Sequence, residues 1–316
     1  MASNVVQITD SASGSSARVL ASLGFNCFSW QPVLEEGPRE MLWADASFAA
    51  GDQRPSGSGI PLLFPFPGRI SGAVFHFENR RYQLEPGDPY GNAIHGFVYN
   101  RPWRVVEQTE SRLVGEFQAS VDDATILDRW PADFRIRVAY EVRGRELLID
   151  VRYENTGDGP LPYGFGTHAY FRLPLAAGGR VADTVVTAPV TQFWEAEQMI
   201  PTGQIKPVHA NQQLAFGLRL NDHEFDTCFT GIRPDADHLV RTRLADPASG
   251  REVTQTFDAT FTQCIIYTPA HREAICLEPY TCVPDAIRLA AAGHETGLQI
   301  LQPGEGRETT LQIEVR

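Results

Sequence analysis

The sequence predicts one large all-β domain made mainly of antiparallel strands, and three observations carry this prediction. Apolar and charged residues alternate with period two over several stretches, and no long stretch has the apolar spacing of a helix. In addition, 22 prolines are spread over the 316 residues, which suits many strands joined by turns and excludes long helices. Because β-sandwiches of this size form single domains, we expect one domain over residues 18–316, preceded by a loose N-terminal tail or a first strand over residues 1–17.

The clearest element is an antiparallel hairpin over residues 134–157. Apolar residues alternate with charged ones up to Arg143, and the alternation resumes at Leu147. Between them lies Arg143-Gly144-Arg145, which is typical of a tight turn because glycine readily adopts positive φ angles. We therefore expect one face of this hairpin to be buried and the other to face water.

The other elements are predicted from the same kind of pattern. Strands are expected over residues 73–86, 103–120, 251–270 and 297–302, followed by a turn at 303–306 and a last strand around 311–315. Two segments are short helix candidates, 122–130 and 284–293. Stretches rich in glycine, proline and aromatic residues are predicted to be irregular loops, where sites often lie: 55–70, 88–103, 161–174 and 276–288.

Composition and charge exclude several classes of partner. The net charge is −12 and the isoelectric point is about 5.1, whereas nucleic-acid-binding proteins usually carry a basic stripe. We therefore expect neither nucleic acid nor a membrane surface as a partner. Five cysteines, an odd number without a repeated spacing, are typical of free thiols in a reducing compartment. The N-terminus lacks the pattern of a signal peptide and no apolar run is long enough to span a membrane, so a cytoplasmic location is expected.

The local motifs of metal, nucleophilic and phosphate-binding sites do not occur. The sequence contains no His-Glu-x-x-His, no Gly-x-Ser-x-Gly and no glycine-rich loop ending in Lys-Ser/Thr. We expect no metal and no other cofactor, although a non-local site built from His95, His168 and a carboxylate stays open at this point. Acid–base chemistry by histidine and carboxylate remains. His95 and His168 lie among glycines and aromatic residues, Glu278 ends an apolar stretch, and Asp226 lies between phenylalanines.

Taken together, five short motifs resemble the aldose 1-epimerase (galactose mutarotase) family. They occur in the family's order and approximate spacing, and the resemblance covers roughly residues 20–316. The motifs are Phe-Pro-Phe-Pro-Gly-Arg-Ile at 64–70, Asn-Ala-Ile-His-Gly-Phe at 92–97, Thr-His-Ala-Tyr-Phe at 167–171, Asp-Thr-Cys-Phe at 226–229 and Cys-Leu-Glu-Pro-Tyr-Thr-Cys-Val-Pro-Asp-Ala at 276–286. The resemblance implies a β-supersandwich, in which large antiparallel sheets pack face to face beside an open sugar cleft.

The resemblance also implies a reaction, which is the interconversion of the α and β anomers of a free aldose such as galactose or glucose. Glu278 would act as the general base at the C1 hydroxyl, and His168 as the general acid at the ring oxygen. His95 would hold the polarised oxygen. Four residues are expected to bind the sugar: Arg69, Asp226, Asn92 and Tyr170.

Positions that depart from the family's usual residues bear on the substrate rather than on the reaction. They are Gly68, Phe97, Gly164 and Thr167. Five aromatic residues are candidates for stacking on a sugar, although core filling is the more common role for any single one of them: Phe64, Phe66, Tyr170, Phe193 and Trp194.

Three alternatives stay open from the sequence. A hexose-6-phosphate 1-epimerase of the same superfamily would need a basic pocket, to which Arg69, Arg101 and Arg104 could contribute. A non-catalytic carbohydrate-binding protein would use the same cleft without turnover. A metal-dependent β-sandwich enzyme would lose activity on chelation. The only partner expected is a monosaccharide, and the chain is expected to be a monomer or a homodimer.

Overall fold

The computed structural model describes residues 4–221 and 223–316, and this part of the chain is mostly β-sheet. Its strands are numbered in chain order: β1 Val5–Thr9, β2 Ser16–Leu20, β3 Asn26–Gln31, β4 Val33–Leu34, β5 Gly37–Pro38, β6 Leu62–Leu63, β7 Arg69–Ile70, β8 Val74–Phe77, β9 Arg80–Gln83, β10 Ala93–Ile94, β11 Arg104–Gln108, β12 Arg112–Gln118, β13 Phe134–Arg143, β14 Glu146–Asn155, β15 Leu161–Tyr163, β16 Gly166–Thr167, β17 Ala169–Arg172, β18 Val185–Thr187, β19 Gln192–Glu197, β20 Ile200–Pro207, β21 Leu218–Arg219, β22 Asp226–Thr230, β23 Leu239–Asp246, β24 Arg251–Asp258, β25 Gln263–Tyr267, β26 Ala274–Tyr280, β27 Gln299–Leu301 and β28 Gly306–Val315.

Helices are few and short. The α-helices within the described ranges are α1, Ala119–Asp122, and α2, Ala286–Ala291. No helix in this part of the chain is long and apolar enough to cross a membrane. The 3-10 turns are Phe48–Ala50, Pro55–Gly57, Ser71–Ala73, Val98–Asn100, Ala124–Asp128, Val181–Asp183 and Leu214–Phe216.

Two large antiparallel sheets dominate the fold, as the sequence predicts. The first has nine strands in the order β11-β12-β13-β14-β28-β24-β23-β18-β21. The second has the order β20-β19-β22-β25-β26-β16-β6, and β17 also pairs with β26. The remaining strands form small two- and three-stranded sheets. Because chain-distant strands such as β14 and β28 are neighbours, most of the sheet depends on long-range pairing.

The predicted hairpin is confirmed and forms the middle of the nine-stranded sheet. β13 pairs with β14 in register from Phe134 with Asn155 to Arg143 with Glu146, and Gly144 in the turn has a φ of 57°. The apolar residues of both strands are buried, and the charged ones are more exposed. The helix expected over residues 284–293 is present as α2, whereas the segment 122–130 contains the end of α1 and the 3-10 turn Ala124–Asp128 instead of an α-helix.

One hydrophobic core joins the two large sheets. Phe64 stacks on Tyr153 of β14 at 5.7 Å between ring centroids, and Phe165 lies 5.8 Å from the same ring. The continuous buried cluster extends along the sequence from Ile8 to Val315. Burial of this apolar surface provides the main stabilisation of the sheets against each other.

The structure corrects three expectations. Residues 4–17 are not a loose tail, because β1 pairs along its whole length with β2; residues 1–3 lie outside the described part. The stretch 161–174 is not an irregular loop but contains β15, β16 and β17. Among the sugar-stacking candidates, Phe64 and Phe66 are core residues, 0% and 7% exposed, and Phe66 stacks on Trp130.

Candidate active site

The site is built on one face of the second large sheet. Along β26 the residues Ile275 and Leu277 point into the main core, whereas Cys276, Glu278 and Tyr280 do not belong to that cluster. Side chains alternate between the two faces of a strand, so these three share the opposite face. Both faces of β26 are covered, and all seven of its residues are buried.

The strand pairing brings His168 next to Glu278. Gly166 pairs with Tyr280 and Ala169 pairs with Leu277, so His168 occupies the position across from Glu278. Its Nε2 lies 3.3 Å from Glu278 Oε1. Both side chains are nearly inaccessible to solvent, with 10% and 2% exposed. The separation is just longer than the ~2.6–3.2 Å over which catalytic groups exchange a proton directly, and such distances shorten when a substrate binds.

A hydrogen bond from a tyrosine fixes the glutamate. Tyr280, two residues along β26, donates its hydroxyl to Glu278 Oε2 at 2.7 Å, and this bond is buried. One carboxylate oxygen therefore faces the histidine and the other is held by the tyrosine. Sequence analysis did not identify Tyr280, although its position two residues after Glu278 on a strand is the signal that could have found it.

Burial disfavours the charged form of both members of the pair. Desolvation, together with the positive charges of Arg54 and Arg69, lowers the pKa of His168 to about 3. Desolvation also raises the pKa of Glu278 well above its ordinary value, while the Tyr280 hydrogen bond acts in the opposite direction. Burial therefore outweighs the attraction between the carboxylate and a protonated His168.

His95 lies beside this pair in a strained backbone conformation. Its φ is 65°, which is unusual for a residue with a side chain and persists only where the surroundings impose it. Its backbone N–H donates to the carbonyl oxygen of Gly68 at 2.7 Å, and its ring centroid is 5.6 Å from that of His168. Burial lowers its pKa well below the ordinary value.

Both histidines have a buried nitrogen without a partner. Nδ1 of His95 and Nδ1 of His168 make no hydrogen bond with any described residue. Buried polar atoms are rarely left in this state. Two such atoms on neighbouring rings are therefore consistent with a polar ligand or ordered water at this point.

Arg69 is positioned by a network that involves Asn92. Its Nε donates to Asp88 Oδ2 at 2.9 Å, and the side-chain nitrogen of Asn92 donates to the same oxygen at 3.0 Å. The Asn92 side-chain oxygen accepts from the Gly72 backbone at 2.9 Å. Because both polar atoms of Asn92 are occupied and its side chain is buried, its contacts are those of a residue that supports Arg69.

Asp226 lies at the start of β22, on the same face as the pair. It pairs with Tyr267, which in turn pairs with Cys276, so all three share the face that carries Glu278. Its side chain is solvent-exposed, yet the surrounding protein raises its pKa through desolvation, and Arg69 acts in the opposite direction. An accessible, partly desolvated carboxylate is suited to accepting hydrogen bonds from a ligand.

Aromatic side chains enclose His168. The ring of Tyr170 stacks on it at 4.8 Å and 7° between the planes, and Tyr267 meets it edge-on at 6.0 Å. The Tyr170 hydroxyl donates to the carbonyl oxygen of Ser56 at 2.9 Å. Tyr170 thus forms the wall behind the histidine, while Phe193 and Trp194, the remaining stacking candidates, lie on β19.

Two of the unusual glycines are explained by packing. Gly68 has a φ of 69°, and a Cβ there would lie 2.6 Å from Cγ of Pro284. A Cβ on Gly164 would lie 2.2 Å from Cys282 Sγ. In this chain the space beside each glycine is filled by a neighbouring side chain, so larger residues at these positions require a change in the partner as well.

One group of site residues has the composition of a metal site. Ligand atoms of His168, Cys276 and Glu278 all lie within 4.8 Å of one another. Metal binding would require the Cys276 thiolate, whereas burial raises the pKa of this thiol well above its ordinary value. An ion at this point would therefore have to displace the proton of this thiol.

The fold and the site together define a galactose mutarotase-like β-sandwich protein. The chain belongs to the aldose 1-epimerase family, whose model matches residues 7–314. Two Escherichia coli K12 proteins described as uncharacterized are similar in sequence. YphB is 25% identical over 296 residues, which cover 90% of this chain and 89% of YphB; YihR is 23% identical over 241 residues, which cover 71% and 70%.

Solved structures show the same fold at low sequence identity. A galactose mutarotase-like protein from Clostridium acetobutylicum superposes with a TM-score of 0.85 at 18% identity, over 100% of this chain and 99% of its own. The GalM/aldose epimerase homologue from C. elegans gives 0.81 at 20% identity, over 100% and 99%. At these identities the likeness establishes the fold alone.

Proposed function

We propose that the protein is an aldose 1-epimerase, or mutarotase, which interconverts the α and β anomers of a free aldose. The observation that carries the proposal is the buried pair of His168 Nε2 and Glu278 Oε1 at 3.3 Å. Anomerisation needs one group that takes a proton from the C1 hydroxyl and one that gives a proton to the ring oxygen, and both oxygens are bonded to the same carbon. Neither a metal nor a nucleotide is needed for this chemistry.

The reaction proceeds by opening and closing the sugar ring. Glu278 removes the proton from the C1 hydroxyl, and His168 donates a proton to the ring oxygen as the bond between C1 and that oxygen breaks. The aldehyde then rotates about the C1–C2 bond, and the two proton transfers run in reverse. Each positioned acid or base contributes roughly 10²- to 10⁴-fold to the rate.

The resting protonation state is one proton transfer away from the active one. Because burial lowers the pKa of His168 and raises that of Glu278, the resting pair is neutral and carries its proton on Glu278. Moving this proton to His168 Nε2 gives the active pair, in which the carboxylate is the base and the imidazolium is the acid. The two forms contain the same number of protons, so their ratio does not depend on pH. A bound sugar, by supplying polar hydroxyl groups, favours the charged form.

The neighbouring residues suit the binding of sugar hydroxyls. Asp226 offers an exposed carboxylate, and Arg69 is held in place by Asp88 and Asn92. His95 has an unpaired nitrogen with which to hold the ring oxygen or its proton. Five free cysteines in the structure agree with a reducing compartment, so we place the reaction in the cytoplasm, with a monosaccharide as the partner.

A phosphosugar substrate is less well supported by the arginines that the sequence suggested. Arg101 is paired with Asp123 at 2.7 Å and Arg104 with Asp122 at 2.8 Å. Arg69 is paired with Asp88. Each of these charges is already neutralised, so none is free to hold a phosphate dianion.

Optical rotation tests the proposal directly. Freshly dissolved α-galactose, α-glucose and pentoses would be followed with and without the protein, and we expect the approach to equilibrium to be accelerated for at least one of them. Glu278→Gln should lose that acceleration while still binding the sugar. Binding without acceleration in the wild type would instead identify a carbohydrate-binding protein, and loss of activity on chelation would identify a metal-dependent enzyme.

A further inference from the structure

Arg54 is a positive charge at the site that sequence analysis did not identify. Its side chain is solvent-exposed, and its one side-chain hydrogen bond with the described residues runs from Nε to Ser56 Oγ at 3.2 Å. It forms no ion pair with any residue in the described ranges, although acidic residues outnumber basic ones by 39 to 27 in the sequence. Arg69, the other arginine at the site, is paired with Asp88.

Two series of contacts link Arg54 indirectly to His168 and His95. Ser56, which receives the Arg54 hydrogen bond, provides the carbonyl oxygen that accepts from the Tyr170 hydroxyl, and Tyr170 stacks on His168. The turn Pro55–Gly57 packs against the turn Val98–Asn100, in which the ring of Tyr99 lies 5.8 Å from that of His95.

The direction of the Arg54 side chain is fixed by its own turn. A Cβ built on Gly57 would lie 3.7 Å from Arg54 Cβ and 3.9 Å from its Cγ and Cδ, so the stem folds back over this glycine. The positive charge lowers the pKa of His95, His168 and Tyr170. His95 comes from one segment and His168 and Tyr170 from another, so these effects agree with the contacts that place Arg54 beside both.

We propose that Arg54 binds the carboxylate of an acidic sugar, so that the preferred substrate is a uronic acid rather than a neutral aldose. The inference rests on the proposed function and names its substrate class. A guanidinium has five N–H donors in a planar fork that matches a carboxylate, and in Arg54 one of them is occupied by a described residue.

The charge balance favours a carboxylate over a phosphate. One unpaired arginine compensates one negative charge, whereas the Asp226 carboxylate, and Glu278 once it has given up its proton, repel a second. Asp226 lies on the same face as Glu278, and its negative charge raises the pKa of Glu278. A sugar with a single negative charge meets this balance better than a phosphate dianion.

The test compares galacturonate with galactose, which differ in the group at C6. We expect the wild type to anomerise galacturonate with a kcat/KM about tenfold or more above that for galactose, since a charge-assisted hydrogen bond is worth this much. Arg54→Gln should lower kcat/KM for galacturonate about tenfold more than for galactose. Arg54→Lys, which keeps the charge but loses the fork, should fall between the two, and added salt should reduce the preference.

A matched control is Arg145→Gln, because Arg145 is also exposed but lies in the turn between β13 and β14; it should leave both substrates unchanged. Equal kcat/KM for the two sugars in the wild type, an equal effect of Arg54→Gln on both, or a preference for galactose 6-phosphate would each overturn the assignment. Calorimetric binding of galacturonate to the wild type and Arg54→Gln separates the two proposals. Charge-dependent binding without turnover would refute the proposed function and leave the role of Arg54 standing.

Discussion

Removing the Tyr280 hydroxyl should slow catalysis without disturbing the fold. In Tyr280→Phe the 2.7 Å hydrogen bond to Glu278 Oε2 is lost, while the ring that fills this buried position remains. The bond favours the charged form of Glu278 and opposes the effect of burial on its pKa. Its loss should therefore raise this pKa further and reduce the amount of carboxylate that can act as a base.

The size of the effect follows from the two forms of the glutamate. A hydrogen bond to an ionised group contributes about 1.5–3 kcal/mol, and one between neutral groups about 0.5–1.5 kcal/mol. The difference of about 1.4 kcal/mol corresponds to roughly a tenfold change in the population of the charged form. We therefore expect kcat to fall about tenfold at pH 7, with a smaller change in sugar affinity.

Polarimetric rates over a range of sugar concentrations would give kcat and KM for this variant. Tyr163→Phe is the matched control, since Tyr163 is also buried and its hydroxyl bonds to Gln299 on β27 rather than to the catalytic pair. It should keep full activity. An unchanged kcat in Tyr280→Phe would refute the view that this hydroxyl supports the carboxylate, and an equal loss in both variants would point to a general effect on the fold.

Three further predictions concern the same pair. His168→Asn should lower kcat by roughly 10²- to 10⁴-fold while calorimetry finds sugar binding within a few-fold of the wild type; full activity would remove His168 from the mechanism. The value of kcat/KM should not change between about pH 5 and pH 8, because burial lowers the pKa of His168 to about 3 and raises that of Glu278. A fall in kcat/KM toward low pH with a midpoint at the ordinary histidine pKa of about 6.5 would contradict this. Finally, the raised pKa means that Glu278 keeps its proton in the folded chain, whereas the unfolded chain loses this proton above about pH 4.5. Glu278 therefore lowers the free energy of unfolding progressively as the pH rises above that value. Glu278→Gln lacks that contribution and should therefore gain in thermal stability relative to the wild type between pH 5 and pH 8; a constant difference over that range would show that Glu278 is ionised in the folded state.

The sheet architecture could be predicted because many strands have one wet face. β13 and β14 alternate between buried and exposed residues, so their sequence shows a period of two. β26 is different, because both of its faces are covered and every residue is buried. Its sequence therefore lacks alternation, and Glu278, expected at a strand end before a loop, lies inside a strand.

The residues that complete the site depend on strand register, which the sequence does not specify. His168 and Glu278 meet because Gly166 pairs with Tyr280 and Ala169 with Leu277. Once this register is known, Tyr280 follows from the alternation of side chains along β26. Arg54 could not be identified in this way, because its relation to the histidines is made through two turns and the Tyr170 hydroxyl.

The central claim is that His168 and Glu278 together catalyse anomerisation, and exchange NMR tests it most directly. At equilibrium, the magnetisation transfer between the α and β anomeric protons reports the rate of interconversion without any net change in composition. We predict that the wild type accelerates this exchange for at least one aldose or uronic acid, and that His168→Asn and Glu278→Gln, still folded and still binding sugar, return it to the uncatalysed rate. Exchange that is as fast in both variants as in the wild type would contradict the account.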